Sequence, residues 1–240
     1  MASAAATVKR LTLELGGNDA GIVLPKTDVT KLVERLFWGA FINNGQTCAA
    51  LKRLYVHDSV YEEVCDALVG FAGGVSVGDG LDEKSLLGPV QNARQRARVG
   101  ALVDEARTAG GRILVGGRTP DGPGYFYPVT LVADVEEGIR LVDEEQFGPA
   151  LPIIRYHDVD DAVRRANHGP FGLGASVWTD DLEEGRYFAP RLDAGSVWVN
   201  QHGAIRPDIP FGGIKQSGFG VQFGIEGLKE VTSLQAVYCG

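Results

Sequence analysis

Sulfur is scarce in this chain. Three cysteines and one methionine occur in 240 residues. An odd number of thiols spread so widely is no disulfide framework, and it points to a reducing, cytoplasmic setting. Cations are also in deficit: 23 Lys and Arg face 31 Asp and Glu, a formal net charge of −8. That argues against nucleic acid as a partner, because phosphate-backbone binders carry a basic stripe. The densest basic stretch, Arg94 to Arg98, lies in a helical pattern and reads as a solvated face. No apolar run reaches the roughly 18 residues of a membrane-spanning helix. The first six residues lack an apolar segment long enough for a secretory signal. The four histidines (57, 157, 168 and 202) show no ligand spacing, so no metal site is expected. No internal repeat or low-complexity segment is present.

What is present is an ordinary globular composition, 44% hydrophobic, on a length that fits one large domain or two small ones. Strand and helix patterns alternate. Strands are expected at 11–15, 21–24, 53–56, 112–115, 127–135, 150–156, 175–178, 196–200 and 233–238. Helices are expected at 29–43, 61–70 (with Ser59 as N-cap), 92–108, 159–167 and 182–188. Residues 73–89, 116–124 and 201–220 read as loops, the last two rich in Gly and Pro. Such alternation implies an α/β fold with a mostly parallel sheet.

Two residues carry candidate chemistry. Cys48 ends the run Asn43-Asn44-Gly45-Gln46-Thr47-Cys48, where a glycine-containing turn can expose a nucleophilic thiol. Glu14 lies in Leu13-Glu14-Leu15-Gly16-Gly17, where the glycines would let the backbone turn and leave a carboxylate free to act as general base. The bland alternatives are an inert core cysteine and a capping or ion-paired glutamate. Cys65 is an internal control: it falls on a helix beside Val64 and Leu68 and reads as core. Cys239 is penultimate and reads as incidental.

Both runs resemble signature stretches of the aldehyde dehydrogenase superfamily, and their separation (positions 14 and 48) suits it. Glu144-Glu145-Gln146-Phe147-Gly148-Pro149, Val197-Trp198-Val199-Asn200 and Pro210-Phe211-Gly212-Gly213-Ile214-Lys215-Gln216-Ser217-Gly218 resemble further blocks of that family, in its order. The resemblance covers nearly the whole chain. It implies an α/β catalytic domain that oxidises a small-molecule aldehyde to a carboxylic acid with NAD or NADP. Cys48 would be the nucleophile of a thiohemiacetal and then a thioester, and Glu14 the base for the hydrolytic water. Glu145 would accept hydrogen bonds from the nicotinamide ribose, Phe147 would pack beside the nicotinamide, and Gln95 falls where the family often has a cofactor-ribose contact. For Glu145 the bland alternative is a solvated acidic turn.

The same resemblance divides the chain into a cofactor-domain remnant (1–17), a catalytic domain (18–209) and a returning segment with an oligomerisation strand (210–240). A homo-oligomer, dimer or tetramer, is implied. Family members are about twice this length, and the upstream half carries most of the cofactor domain and an oxyanion-hole asparagine. The start at Met1 therefore reads as mid-domain. After Leu15-Gly16-Gly17 the family commonly has Lys-x-Pro, whereas this chain has Asn18-Asp19-Ala20. Residues 200–210 would line the aldehyde entrance, with Arg206 as either an anion contact or a surface arginine. Two other readings stay open: a truncated, incompetent chain that acts only by association, and a thiol hydrolase using Cys48 alone.

Overall fold

The structure is a computed structural model describing residues 1–240. It opens with one helical turn, α1 (Ala2–Ala5), and a two-residue strand, β1 (Leu13–Glu14). Next come β2 (Asp19–Val23), α2 (Val33–Phe41), β3 (Leu51–His57), α3 (Tyr61–Ala72), α4 (Ala93–Thr108), β4 (Arg112–Val115) and β5 (Thr130–Ala133). They are followed by α5 (Arg140–Asp143), β6 (Ala150–Tyr156), α6 (Val159–Asn167), β7 (Phe171–Gly172), β8 (Gly174–Trp178), α7 (Leu182–Phe188) and β9 (Ser196–Val199). The chain closes with β10 (Ile214–Lys215), β11 (Gly218–Phe219) and α8 (Gly224–Glu230).

Seven strands form one sheet in the order β4-β5-β6-β3-β2-β8-β9. Every neighbouring pair is parallel except β4 with β5. The central strands are buried nearly throughout because helices cover both faces. Alternation sends Leu54, Val56, Leu131, Leu151 and Ile153 to one core with α2 and α3. Ile22, Tyr55, Val132, Ile154 and Tyr156 go to the other, with α4 and α6. Each such side chain contributes roughly 1.5–3 kcal/mol by leaving water. Side-chain caps start several helices. Asn92 accepts the Gln95 N–H at α4, and Asp158 accepts the Asp161 N–H at α6.

Several expectations are corrected. The strand expected at 11–15 shrinks to β1, whose partner β11 is itself only two residues long. The strand expected at 127–135 narrows to β5, because Pro128 has no N–H to give a ladder. Ser59 does not cap α3: the His57 side chain accepts the Ser59 N–H, and a 3-10 turn, Asp58–Val60, leads into the helix. The helix expected at 29–43 is α2 flanked by two 3-10 turns. Residues 233–238 form no strand in the single chain. No strand of the chain lies beside them, and Leu234, Val237 and Tyr238 stand in solvent. The helix α8 escapes sequence reading because Gly224 and Gly227 weaken its helical signal.

Parallel strands share a direction, so their N-terminal ends lie along one sheet edge. The segments leading into β2, β3 and β6 carry Glu14, Cys48 and Glu145 to that edge. The pairing of β1 with β11 brings residues near 13 and 219 together outside the main sheet.

Candidate active site

The turn before Cys48 is built by left-handed backbone. Asn43, Asn44 and Gly45 have φ of 52°, 58° and 68°. Asparagine tolerates that region better than most residues, and glycine enters it freely. Position 45 has a second requirement, since a Cβ there would collide with the Gly148 carbonyl oxygen and sit 2.6 Å from Lys52 Nζ. Gln46 ties the turn outward: its Oε1 accepts the Gln91 N–H at 2.8 Å. Cys48 follows, half-buried against a small apolar cluster of Ala49, Leu173, Trp198 and Phe211.

Burial pushes the Cys48 thiol above its ordinary pKa, and the Glu14 and Asp19 charges push the same way; the Ala49 backbone amide opposes them. Glu14 therefore lies close enough to Cys48 for its charge to be felt. Its Oε1 is buried without a partner. Burial raises the Glu14 carboxyl, partly offset by the Gly213 backbone amide. Glu14 and Cys48 thus share one electrostatic neighbourhood, in which the Glu14 charge favours the protonated thiol.

The glycines after Glu14 serve close approach more than turning. Neither Gly16 nor Gly17 has positive φ. A Cβ on Gly17 would strike the Cys48 carbonyl oxygen and come within 2.7 Å of Asp19 Oδ1. Gly16 faces the Glu145 carboxylate.

Glu145, Phe147 and Gln95 line one open groove together with Arg94 and Arg98. Glu145 is not a simple solvated acid. Its Oε1 accepts the Gly17 N–H at 2.9 Å, and burial raises its carboxyl, opposed by Gly17 and by the Lys52 charge. Its neighbour Glu144 is the surface member of the acidic run, paired with Arg98 and Arg140. Phe147 holds a left-handed φ of 49°. The Gln95 amide nitrogen donates to the carbonyls of Gln146 (2.6 Å) and Phe147 (2.9 Å), so in this arrangement it clamps the loop.

Three buried side chains at this edge were not singled out by sequence. Lys52 donates from Nζ to the Gly148 carbonyl at 2.8 Å, and burial pulls its pKa down to about 7 against the pull of Glu145 and Asp19. Asp19 accepts the Gly174 N–H through Oδ1 (3.1 Å), while its Oδ2 lies 3.4 Å from His202 Nε2. His202 Nδ1 lies 2.9 Å from Ser176 Oγ, which also accepts the Trp178 indole N–H. The only sequence sign was the departure at Asn18-Asp19-Ala20; nothing local marks Lys52 or His202.

The control residues separate. Cys65 is buried, and its thiol is pushed up to about 12 by burial first. Cys239 is exposed. Arg206 forms a two-bond ion pair with Asp208 in solvent. No helix is long and apolar enough to cross a membrane, and no cluster of three or more His, Cys, Asp or Glu side chains is placed to hold a metal ion.

A model of the aldehyde dehydrogenase family matches residues 1–237. The chain is 38% identical over 233 residues to succinate-semialdehyde dehydrogenase [NADP(+)] 1 of Mycobacterium ulcerans, covering 97% of this chain and 51% of the relative. Among solved structures it resembles the NAD+ complex of aldehyde dehydrogenase from Bacillus cereus, with TM-score 0.92 and 35% identity over 97% of this chain and 48% of that one. It also resembles betaine aldehyde dehydrogenase from Staphylococcus aureus in complex with NAD+, with TM-score 0.90 and 32% identity over 96% and 46%. The chain spans about half the length of the curated relatives it matches.

Proposed function

The chain belongs to the aldehyde dehydrogenase family, and on that premise we propose that it supplies the nucleophile and base of an NAD- or NADP-dependent oxidation of an aldehyde to a carboxylic acid. The observation that carries this reading is the half-buried Cys48 thiol within reach of the Glu14 charge, which opposes its ionisation. Cys48, as thiolate, adds to the aldehyde carbon and forms a thiohemiacetal. Bound nicotinamide would supply the hydride acceptor that turns this adduct into a thioester. Glu14, its carboxyl raised by burial, then takes a proton from the water that attacks the acyl carbon, releasing the acid and the thiol.

The groove residues fit the nicotinamide-ribose end of such a cofactor. Glu145 offers a carboxylate that already accepts one N–H, and Phe147 supplies an apolar ring beside it. NADP appears in the name of the Mycobacterium ulcerans relative and NAD+ in the Bacillus cereus structure; both stand as candidates here. The pairing of β1 with β11 supports the division into 1–17, 18–209 and 210–240, because it joins the two outer segments away from the catalytic sheet. The exposed apolar tail at 233–238 supports a homo-oligomer in which it adds to a partner's sheet.

The test is acyl transfer from an activated ester, followed by intact-mass and peptide mass spectrometry. The acyl group is expected on Cys48. In Glu14→Gln it should persist roughly a hundredfold longer, the loss expected for a missing general base. Labelling at Cys65 in place of Cys48, or unchanged deacylation in Glu14→Gln, would overturn the assignment.

A further inference from the structure

Building on the roles just given to Cys48 and Glu145, we propose that Lys52 is a positioning residue whose buried amine fastens the cofactor-facing loop 145–148 to the strand that follows the nucleophile. Lys52 is the second residue of β3 and comes four positions after Cys48. It is 1% exposed. Its Nζ donates to the Gly148 carbonyl at 2.8 Å, and that oxygen also accepts the Ala150 N–H at 2.9 Å.

The loop needs such a hold. Phe147 sits in left-handed backbone, which a bulky residue adopts only under constraint. The Gln146 side chain is fully buried, and neither its amide nitrogen nor its oxygen has a partner. Three groups from three parts of the chain grip the loop: the Gly17 N–H on Glu145, the Gln95 amide on the carbonyls of 146 and 147, and Lys52 on Gly148. Only the last lies on the strand that follows Cys48. Gly45, in the turn before Cys48, closes on the same spot, against both Gly148 and Lys52 Nζ. An unbranched apolar side chain would fill this space without the desolvation of an amine. What the amine adds is the bond to Gly148, and through it a fixed distance between nucleophile and ribose contact. The charged groups that act on Lys52 are Glu145 and Asp19.

The test is amide hydrogen exchange on the whole chain, comparing wild type with Lys52→Met and Lys52→Gln. Lys52→Met should raise the melting temperature at neutral pH, yet exchange at the amides of 146–148 and 150 should quicken by about tenfold or more through local opening. The amides of α3, which report global stability, should not quicken. Lys52→Gln, which keeps an N–H donor without a charge, should restore most of the protection. A residue with a merely structural role would move local and global stability the same way. Unchanged exchange at 146–148 and 150 in Lys52→Met, or no recovery in Lys52→Gln, overturns the proposal. A measurement on wild type stands should a variant not fold: the Lys52 amine protons should give NMR cross-peaks to Gly148 and Ala150, and their absence overturns it equally. Neither readout uses the chemistry of Cys48, so failure here and failure of the acylation test are separate results.

Discussion

Replacing Lys52 by methionine should stabilise the protein at neutral pH, and the gain should fade as the pH rises. The amine has an ordinary pKa of 10.5, brought down to about 7 in the folded chain by burial. Between those values the unfolded chain binds a proton at this site and the folded chain does not. Stability from this group therefore rises with pH across that window and is flat below it. At 1.36 kcal/mol per unit, wild type gives up about 3–4 kcal/mol between pH 10 and pH 7 through Lys52 alone. Methionine has no such dependence and fills the same space without desolvating an amine. Other titrating groups are common to both chains and cancel in the difference.

The difference in unfolding free energy, Lys52→Met minus wild type, should thus be larger at pH 7 than at pH 10 by about 3 kcal/mol. For a chain of this size that is roughly 10 °C in relative melting temperature. Urea unfolding at both pH values, with matched m-values, reads it directly. Parallel pH–stability curves for the two proteins would refute the reasoning: they would mean that Lys52 is solvated, or stays charged at no penalty, in the native state.

Two other outcomes follow from the same structure. In a Cys239→Ser background, iodoacetamide should label Cys48 well before Cys65, and the pH midpoint of the Cys48 reaction should lie above that of a free thiol. Glu14→Gln removes a like charge and should move that midpoint down; an unmoved midpoint would mean that the two side chains are not neighbours. Deleting residues 233–240 should convert any oligomer to monomer on size-exclusion chromatography, and an elution volume unchanged after correction for mass would remove the tail from assembly.

The sequence displays the parts of this fold whose signals are local. The strands at 112–115 and 150–156 and the helices at 159–167 and 182–188 appear at the expected residues. Each is a short, strongly patterned run with its own stop signals. The motifs around Glu14 and Cys48 are equally local, and so legible. Lys52 is not: on a strand it looks like any edge-facing lysine, and its burial follows from a loop nearly a hundred residues away closing over it. His202 and Asp19 meet for the same reason, across the sheet. Residues 233–238 fail in the opposite direction. Their apolar alternation is a true strand pattern, but a strand needs a neighbour, and the single chain offers none beside them.

The electrostatics at the sheet edge bear on how a thiol with a raised pKa can act as a nucleophile. Glu14 and Asp19 both oppose ionisation of Cys48, and burial opposes it further. A thiolate formed by losing its proton to bulk water would add a negative charge to an acidic, half-buried site. In the proposed reaction, passing that proton to Glu14 would leave the site's net charge unchanged, because one anion replaces another. Repulsion from Glu14 therefore does not oppose this exchange, although burial and Asp19 still do, and the raised carboxyl of Glu14 makes it a better acceptor. In the proposed reaction the same carboxyl would return the proton and, at the thioester stage, take one from water. Gly16 and Gly17 serve this arrangement by having no side chains, which lets their segment close on the Glu145 carboxylate and on the Cys48 carbonyl.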